Sequence, residues 1–176
     1  MEIPQKYKLT DDMVSLIAQI EAKKTLLENI SVSANVIMAL QRQSLLKSSL
    51  YSAKIEGNKL GMSDLSSFKR LNADQKERIE IENILSAFSF LNTNRKSIIN
   101  IDFILSLHSL ILKGLSDNLG KMRTEPSAIF NQSGFPVYIP PPPSEINSLL
   151  EMLILYINDK SNENILIKAS VSHLTF

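Results

Sequence analysis

The stretch SSLYSAKIEGN, residues 48–58, runs from a helical pattern into a glycine and so marks where a long helix stops. Gly57 can adopt the left-handed backbone conformation with which many helices end. Ser52 and Glu56 are four residues apart, which places both side chains on one face of that helix. Glu56 falls in the last turn, where the negative end of the helix dipole disfavours a carboxylate by roughly 0.3–1 kcal/mol. A carboxylate at this position suggests a cation or a donor that it meets in the folded protein.

A second interpretation of Glu56 stays open on physical grounds. The side chain can equally be a solvated glutamate that is tolerated beside Lys54 and Lys59. The residues by themselves do not decide between the two interpretations.

Apolar residues recur at helical spacing on both sides of this stretch, and the chain has only five glycines. The pattern predicts a mostly α fold of about seven helices. These are expected to begin at Thr10, at Ser33, near Ser63, near Asp74, at Asn100, at Ser144 and near Asn164. Phe68 is expected to point inward from the third helix. The last helix is expected to use one face that carries Ile165, Ala169, Ser172, His173 and Phe176. The hydrophobic centre is expected to form from Ile104, Leu107, Ile111, Leu150, Leu153, Ile165 and Ala169.

Residues 116–143 interrupt the helical pattern. Two short strands, 127–130 and 135–139, are predicted around the turn residues 131–134. Pro136 lacks a backbone N–H, so at least one edge of this hairpin is expected to be unpaired. Four consecutive prolines, Pro140–Pro143, then require an extended segment before the sixth helix.

Composition excludes several classes of protein and site. The 176 residues include 19 basic and 18 acidic side chains, a net charge of +1, which gives no electrostatic support for nucleic-acid binding. Without cysteine there is neither a disulfide framework nor a thiolate site. No phosphate-binding glycine loop is present, and no apolar run approaches the roughly 20 residues of a membrane span. We therefore expect a soluble, cytoplasmic protein.

The two histidines, His108 and His173, are far apart and match no metal-binding spacing. Each lies on an apolar helix stripe, so both are expected to be satisfied core residues. No metal site is expected.

Several motifs, taken in order, resemble the Fic-domain family. The segment Ser52-x-x-x-Glu56-Gly57 resembles the family's inhibitory-helix motif, (Ser/Thr)-x-x-x-Glu-(Gly/Asn). The further similarities are Leu107-His108 with Leu112, Gly120 with Arg123, Val137-Tyr138-Ile139 followed by prolines, and Ala169-x-x-x-His173-x-x-Phe176. The resemblance covers residues 48–176.

The resemblance implies a Fic-type helical bundle with one β-hairpin flap. Complete relatives transfer AMP from ATP, with Mg²⁺, to a hydroxyl of a target protein. It implies that Ser52, Glu56 and Gly57 belong to an inhibitory helix (about 33–56) and that Val137, Tyr138 and Ile139 dock the target on the flap (about 127–139). The domains are then an N-terminal helical region, 1–95, and a partial Fic domain, 96–176.

One departure from the family pattern is severe. The family's signature loop, which supplies its catalytic histidine, metal-binding carboxylate and phosphate-binding arginines, would follow just after Phe176 and is not in this sequence. We therefore assign no catalytic or metal-binding residue. ATP and Mg²⁺ are expected for the complete family domain and not as fully bound ligands of this chain, which we expect to be truncated and inactive alone.

Three functional hypotheses remain. The first is an autoinhibited adenylyltransferase. The second is a non-catalytic helical module that binds, oligomerises with itself or complements a separately encoded C-terminal half. The third is a Fic-type transfer of another nucleotide or of a phosphate.

Overall fold

The computed structural model of the chain describes residues 6–66 and 75–176. Within these residues it contains seven α-helices and one two-stranded antiparallel sheet, which confirms the predicted mostly α fold with a single hairpin. The helices are α1 (Asp11–Glu28), α2 (Ala34–Ile55), α3 (Met62–Ser66), α4 (Gln75–Thr93), α5 (Ile101–Leu112), α6 (Pro143–Asn158) and α7 (Ile165–Thr175). The strands are β1 (Ile129–Phe130) and β2 (Pro136–Tyr138).

Local capping groups explain where two of the helices begin. The Thr10 hydroxyl accepts a hydrogen bond from the N–H of Met13 at 3.3 Å, at the start of α1. The Asn164 side chain accepts one from the N–H of Leu166 at 2.9 Å, at the start of α7. Each bond satisfies an N–H that has no partner inside the helix. Both starts agree with the prediction from sequence.

Two other predicted starts have different outcomes. Helix α6 begins at Pro143, one residue before the predicted Ser144, because proline fits the first helical position, where no backbone N–H is needed. The predicted start of the fourth helix at Asp74 and the inward position of Phe68 lie outside the described residues.

The described chain divides into two compact units. One, here called the α2–α4 unit, comprises residues 32–97 and 102–121. Helices α2 and α4 pack together there around a cluster of buried side chains, Leu50, Ala53, Leu60 and Ile81. Buried Asn83 of α4 donates to the carbonyls of Ile111 at 2.9 Å and Lys113 at 2.7 Å, and so satisfies two carbonyl groups at the end of α5.

The other unit, here called the ribbon unit, comprises the described residues up to Ser31 together with residues 98–101 and 122–176. It contains α1, both strands, α6 and α7. Its buried apolar side chains are Leu153 of α6 with Ile167 and Val171 of α7.

The predicted inward face of α7 is wrong. Ile167, Val171 and Thr175, which follow one another at intervals of four, are buried, whereas Ile165 and Phe176 are 68% and 80% exposed. Helix α7 carries apolar residues on both sides, so helical spacing alone could not choose the side that packs.

The predicted hydrophobic centre is also wrong for most of its members. Of the seven residues only Leu153 is buried; Ile104, Leu107 and Leu150 are half-buried, and Ile111, Ile165 and Ala169 are exposed. The tightest cluster instead joins α2 to α4, because α2 presents small and apolar side chains to α4 over its last two turns.

Among the described residues, no helix combines the length and the apolar character that a membrane crossing requires.

Candidate regulatory and docking sites

The end of α2 is closed by a Schellman motif. The N–H of Gly57 donates to the Lys54 carbonyl at 3.1 Å, and the N–H of Asn58 donates to the Ala53 carbonyl at 3.0 Å. Gly57 has φ +97°, the left-handed conformation in which a side chain would be strained. The motif makes Glu56 the C-cap residue of α2 and turns the chain sharply after it.

Asn58 anchors this turn to α4. The residue is 7% exposed, and its amide nitrogen donates to the Glu77 carbonyl at 2.8 Å and to Glu80 Oε2 at 2.7 Å. Its amide oxygen accepts from the N–H of Leu60 at 3.0 Å. These three bonds, here called the Asn58 bridge, fix the backbone two residues beyond Glu56.

Ser52 and Glu56 are both exposed, whereas Ser49 and Ala53 in the same two turns of α2 are buried. No described residue forms a hydrogen bond or ion pair with the Glu56 carboxylate, and this includes the neighbouring lysines. The end of α2 therefore presents a carboxylate from a rigid backbone, with the side chain accessible. The arginine that the family resemblance pairs with Glu56 stays a prediction.

Gly120 and His108 hold the segment after α5 close to that helix. The N–H of Gly120 donates to His108 Nδ1 at 3.1 Å. Gly120 has φ +60°, and a Cβ there would overlap Ser109 Oγ and come within 3.1 Å of the Leu105 carbonyl. A larger residue would therefore push this segment away from α5.

The two histidines differ in environment. His108 is half-buried and hydrogen-bonded, as expected for a structural residue. The expectation that His173 lies in the core is wrong: it is exposed, because α7 packs through its other face. Across the part of the chain that the structure describes, no three His, Asp or Glu side chains gather in an arrangement suited to a metal ion.

Strands β1 and β2 and their turn form a small ribbon, here defined as residues 129–139. Ile129 pairs with Tyr138 and Phe130 with Pro136, with an irregularity between the two pairs. The Asn131 side chain accepts from the N–H groups of Ser133 at 3.0 Å and Phe135 at 2.9 Å, which closes the turn. The strands, 129–130 and 136–138, are shorter than the predicted 127–130 and 135–139.

The ribbon is exposed on both faces. Val137, Tyr138 and Ile139 are 61%, 52% and 71% exposed, although all three are apolar or aromatic. The sheet has two strands, so each strand has a single neighbour within the described chain and an unpaired outer edge. An exposed strand edge can accept another extended chain through backbone hydrogen bonds.

Arg123 braces the base of the ribbon. Its guanidinium donates to the Glu125 carbonyl at 3.0 Å and to the Pro141 carbonyl, so it joins the segment that enters the ribbon to the segment that leaves it. Beside it lies a groove of about 300 Å³ lined by Arg123, Tyr138, Pro140, Ile146, Leu150 and Phe176. Most residues that line the groove are apolar, and Tyr138 belongs to both ribbon and groove.

The predicted site residues thus fall into two groups. Ser52, Glu56 and Gly57 lie at the end of α2 in the α2–α4 unit, and Val137–Ile139 lie on the ribbon. Asn58 was not among the predicted site residues, although it directly follows the Glu-Gly pair, where a side chain at a helix end commonly bonds neighbouring backbone. Its partners on α4 are about twenty positions away and carry no local signal.

The chain matches one family model and several solved structures. Residues 98–176 match the family model of the Fic/DOC family. The fold is similar to the crystal structure of a Fic family protein from Desulfovibrio desulfuricans G20, with a TM-score of 0.75 and 21% sequence identity over 97% of this chain. The chain spans about half, 52%, of the length of that protein. A search of the curated proteins finds no match for this sequence.

Proposed function

Because the segment 98–176 of this chain belongs to the Fic/DOC family, we propose that the protein serves AMP transfer from ATP to a hydroxyl of a target protein. In this proposal the chain supplies two parts of the transferase: the ribbon that docks the target and the helix end that restrains the reaction. The family's catalytic loop would follow Phe176 in a longer polypeptide.

The exposed ribbon is the observation that carries the docking role. An extended target segment can add to an unpaired strand edge through backbone hydrogen bonds. These bonds hold the segment in an extended conformation and do not depend on the identity of its side chains. Val137 and Ile139 offer apolar contacts beside that edge. A transferase needs this arrangement because a hydroxyl must be held at a fixed distance from the donor phosphate while it is modified.

The restraint is proposed to act through Glu56. A carboxylate fixed at the end of α2 can pair with an arginine of the catalytic loop and so remove that arginine from the ATP phosphates. The Schellman motif and the Asn58 bridge support this role because they fix the backbone around Glu56, which lowers the entropy lost when the pair forms. Ser52, one turn earlier on the same face, is proposed to contact the same loop.

ATP and Mg²⁺ enter this proposal as the AMP donor and its metal ion. The described residues offer no group of three His, Asp or Glu side chains for a metal. We therefore assign neither ATP nor Mg²⁺ to residues of this chain and derive no step through the metal.

The docking role is tested by labelling with ATP that carries a radioactive α-phosphate, using the polypeptide encoded by the whole reading frame. Val137→Pro removes a backbone donor from β2 and is expected to abolish target labelling while ATP binding, measured by calorimetry, persists. Val137→Thr keeps the β-branched shape and the donor and is the matched control. Equal target labelling by the wild type and Val137→Pro would refute docking on the ribbon.

The restraint is tested by Glu56→Gly in the same polypeptide. We expect self-labelling to rise at least tenfold, because the arginine would become free to bind phosphate. Glu28→Gly removes another exposed glutamate at the end of a helix, α1, and is expected to change nothing. No gain with Glu56→Gly would remove Glu56 from the proposal.

The exposed apolar side chains of α7, Ile165, Leu174 and Phe176, favour a second candidate, a non-catalytic module that associates with another chain. Light scattering on the chain separates the two: a concentration-dependent dimer that binds no nucleotide would support the module. Labelling with other nucleotide donors tests a different Fic-type transfer.

A further inference from the structure

Glu163 lies in the connection between α6 and α7, and each oxygen of its carboxylate accepts a hydrogen bond from a tyrosine. Tyr7 Oη donates to Oε1 at 2.5 Å, and Tyr156 Oη donates to Oε2 at 2.8 Å. Tyr7 stands just before α1 and is 156 positions away from Glu163 in sequence. The carboxylate therefore joins the segment that leads into α1 to the α6–α7 connection.

The surroundings favour protonated tyrosines on an ionised carboxylate. The hydrogen bond to Glu163 raises the pKa of Tyr7, and burial together with its bond to Glu163 raises the pKa of Tyr156. Lys168, a buried residue of α7, lies 5.5 Å from the centre of the Tyr156 ring and donates to the Asp159 carbonyl at 2.5 Å. Lys168 thereby positions the ring of Tyr156. The hydrogen bond from Tyr156 to Glu163 is therefore supported by the packing of the ring and by the neighbouring ammonium group.

Tyr7, in contrast, has little else to hold it. The residue is 45% exposed, and α1, which follows it, has no buried residue over its 18 positions. The space between α1 and α7 is a cavity of about 340 Å³ lined by apolar side chains, among them Leu16, Ile20, Leu166 and Leu174. Helix α1 is thus close to α7 without the dense packing that normally holds a helix in place.

We propose that α1 is a detachable cover of α7, and that the bond from Tyr7 to Glu163 determines how often it detaches. Elements with few buried contacts open locally at much lower free energy than the fold as a whole. For such an element one hydrogen bond to a charged group is a large part of what keeps it closed. Opening would uncover the side of α7 that lines this cavity, which carries the buried residues Ile167 and Val171.

The cover is a regulatory device that does not depend on the proposed transferase activity. Any event that removes the Tyr7 hydroxyl from Glu163 would shift the population toward the open state. The uncovered face is apolar, so the open state would be the one that exposes a surface for association.

Hydrogen exchange of the full chain, followed by mass spectrometry at neutral pH, tests this inference. In Tyr7→Phe we expect the amides of α1, and those of α7 on the side that faces α1, to exchange about tenfold faster, which is the change expected when one hydrogen bond to a charged group is lost. Amides of α2 and α4 should keep their rates. Tyr51→Phe removes the hydroxyl of an exposed tyrosine on α2 and is the matched control.

Glu163→Gln gives a second, independent measurement. Because it removes the charge that both tyrosines share, it should also accelerate exchange in α1, and adding Tyr7→Phe should accelerate it little further, since both changes break the same bond. Unchanged exchange in α1 with Tyr7→Phe would overturn the proposal. Equal acceleration throughout the chain would also overturn it, because that result reports global destabilisation.

Discussion

Helices α1 and α2 have similar lengths, 18 and 22 residues, yet they are held in the fold in opposite ways. Helix α2 buries Ser49, Leu50 and Ala53 against α4, and its C-terminal turn is fixed by the Asn58 bridge. Helix α1 buries no residue, and the segment before it is joined to the α6–α7 connection through the Glu163 carboxylate. The first arrangement suits a helix that must present a side chain at a fixed place; the second suits one that moves.

The two helix ends show the same contrast on a smaller scale. The Asn58 side chain bonds α4, whereas the side chain of Asn29, the C-cap residue of α1, donates to the Thr25 carbonyl within its own helix, at 2.7 Å. An asparagine at a helix end therefore anchors α2 to another helix in one case, and bonds a carbonyl of its own helix in the other.

The largest expected effect comes from truncating the core of the α2–α4 unit. Leu50→Ala should lower the free energy of unfolding by about 3 kcal/mol, because Leu50 is 1% exposed and its removal leaves a cavity. Leu16→Ala on α1, where the side chain is 57% exposed, should cost less than about 0.5 kcal/mol. Urea denaturation followed by circular dichroism measures both. Similar losses would mean that α1 is packed as firmly as α2.

The next effect concerns the Asn58 bridge. Asn58→Ala should lower the free energy of unfolding by about 2 kcal/mol, because the Glu77 carbonyl and the Leu60 N–H lose their partners in a largely buried place. Asn29→Ala should cost clearly less, since the Thr25 carbonyl is exposed and water can replace the amide. If the two variants lose equal stability, Asn58 does not anchor the helix end.

A smaller effect is expected at Gly57. Gly57→Ala should cost about 1 kcal/mol, because φ of +97° is unfavourable for a residue with a Cβ. No atom lies within 4 Å of the added Cβ, so the cost comes from the backbone alone. Gly57→Asn should cost less, because asparagine tolerates this conformation better. A loss with asparagine as large as that with alanine would point to a steric cause instead.

The smallest effect is a pH dependence of the two tyrosines that share Glu163. Because the pKa values of Tyr7 and Tyr156 are raised, their bonds to Glu163 contribute fully below the ordinary tyrosine pKa of about 10. That contribution is lost as pH rises through the raised values. Absorbance titration near 295 nm should therefore show that Tyr156→Phe removes a component that ionises above pH 10. If Tyr156→Phe instead removes a component that ionises at or below pH 10, the hydrogen bond from Tyr156 to the Glu163 carboxylate is contradicted.

Much of the fold followed from local signals. Thr10 and Asn164 started helices as predicted, and Gly57 ended one, because a cap involves residues within four positions of each other. The hairpin around Asn131 followed from turn chemistry for the same reason. The candidate site residues were found through motifs whose spacing is equally local.

Two other features could not be predicted from the sequence. The buried face of α7 was missed because Ile165 and Ile167 are equally apolar, and only the neighbouring helix decides which side packs. Asn58 was missed because its partners, Glu77 and Glu80, are brought near by the pairing of α2 with α4. Neither fact is encoded within a single turn or helix.

The order of amino acids by itself determined where α1 and α7 begin, where α2 ends, the position of the hairpin, and that Ser52 and Glu56 share one face of α2. These properties depend on backbone conformations and hydrogen bonds between residues close in sequence. Tertiary structure alone decided that α2 is anchored while α1 is loosely held, and that Glu56 stands exposed on a fixed turn. Burial and long-range hydrogen bonds depend on which surfaces meet, and helices with similar patterns can meet their neighbours in different ways.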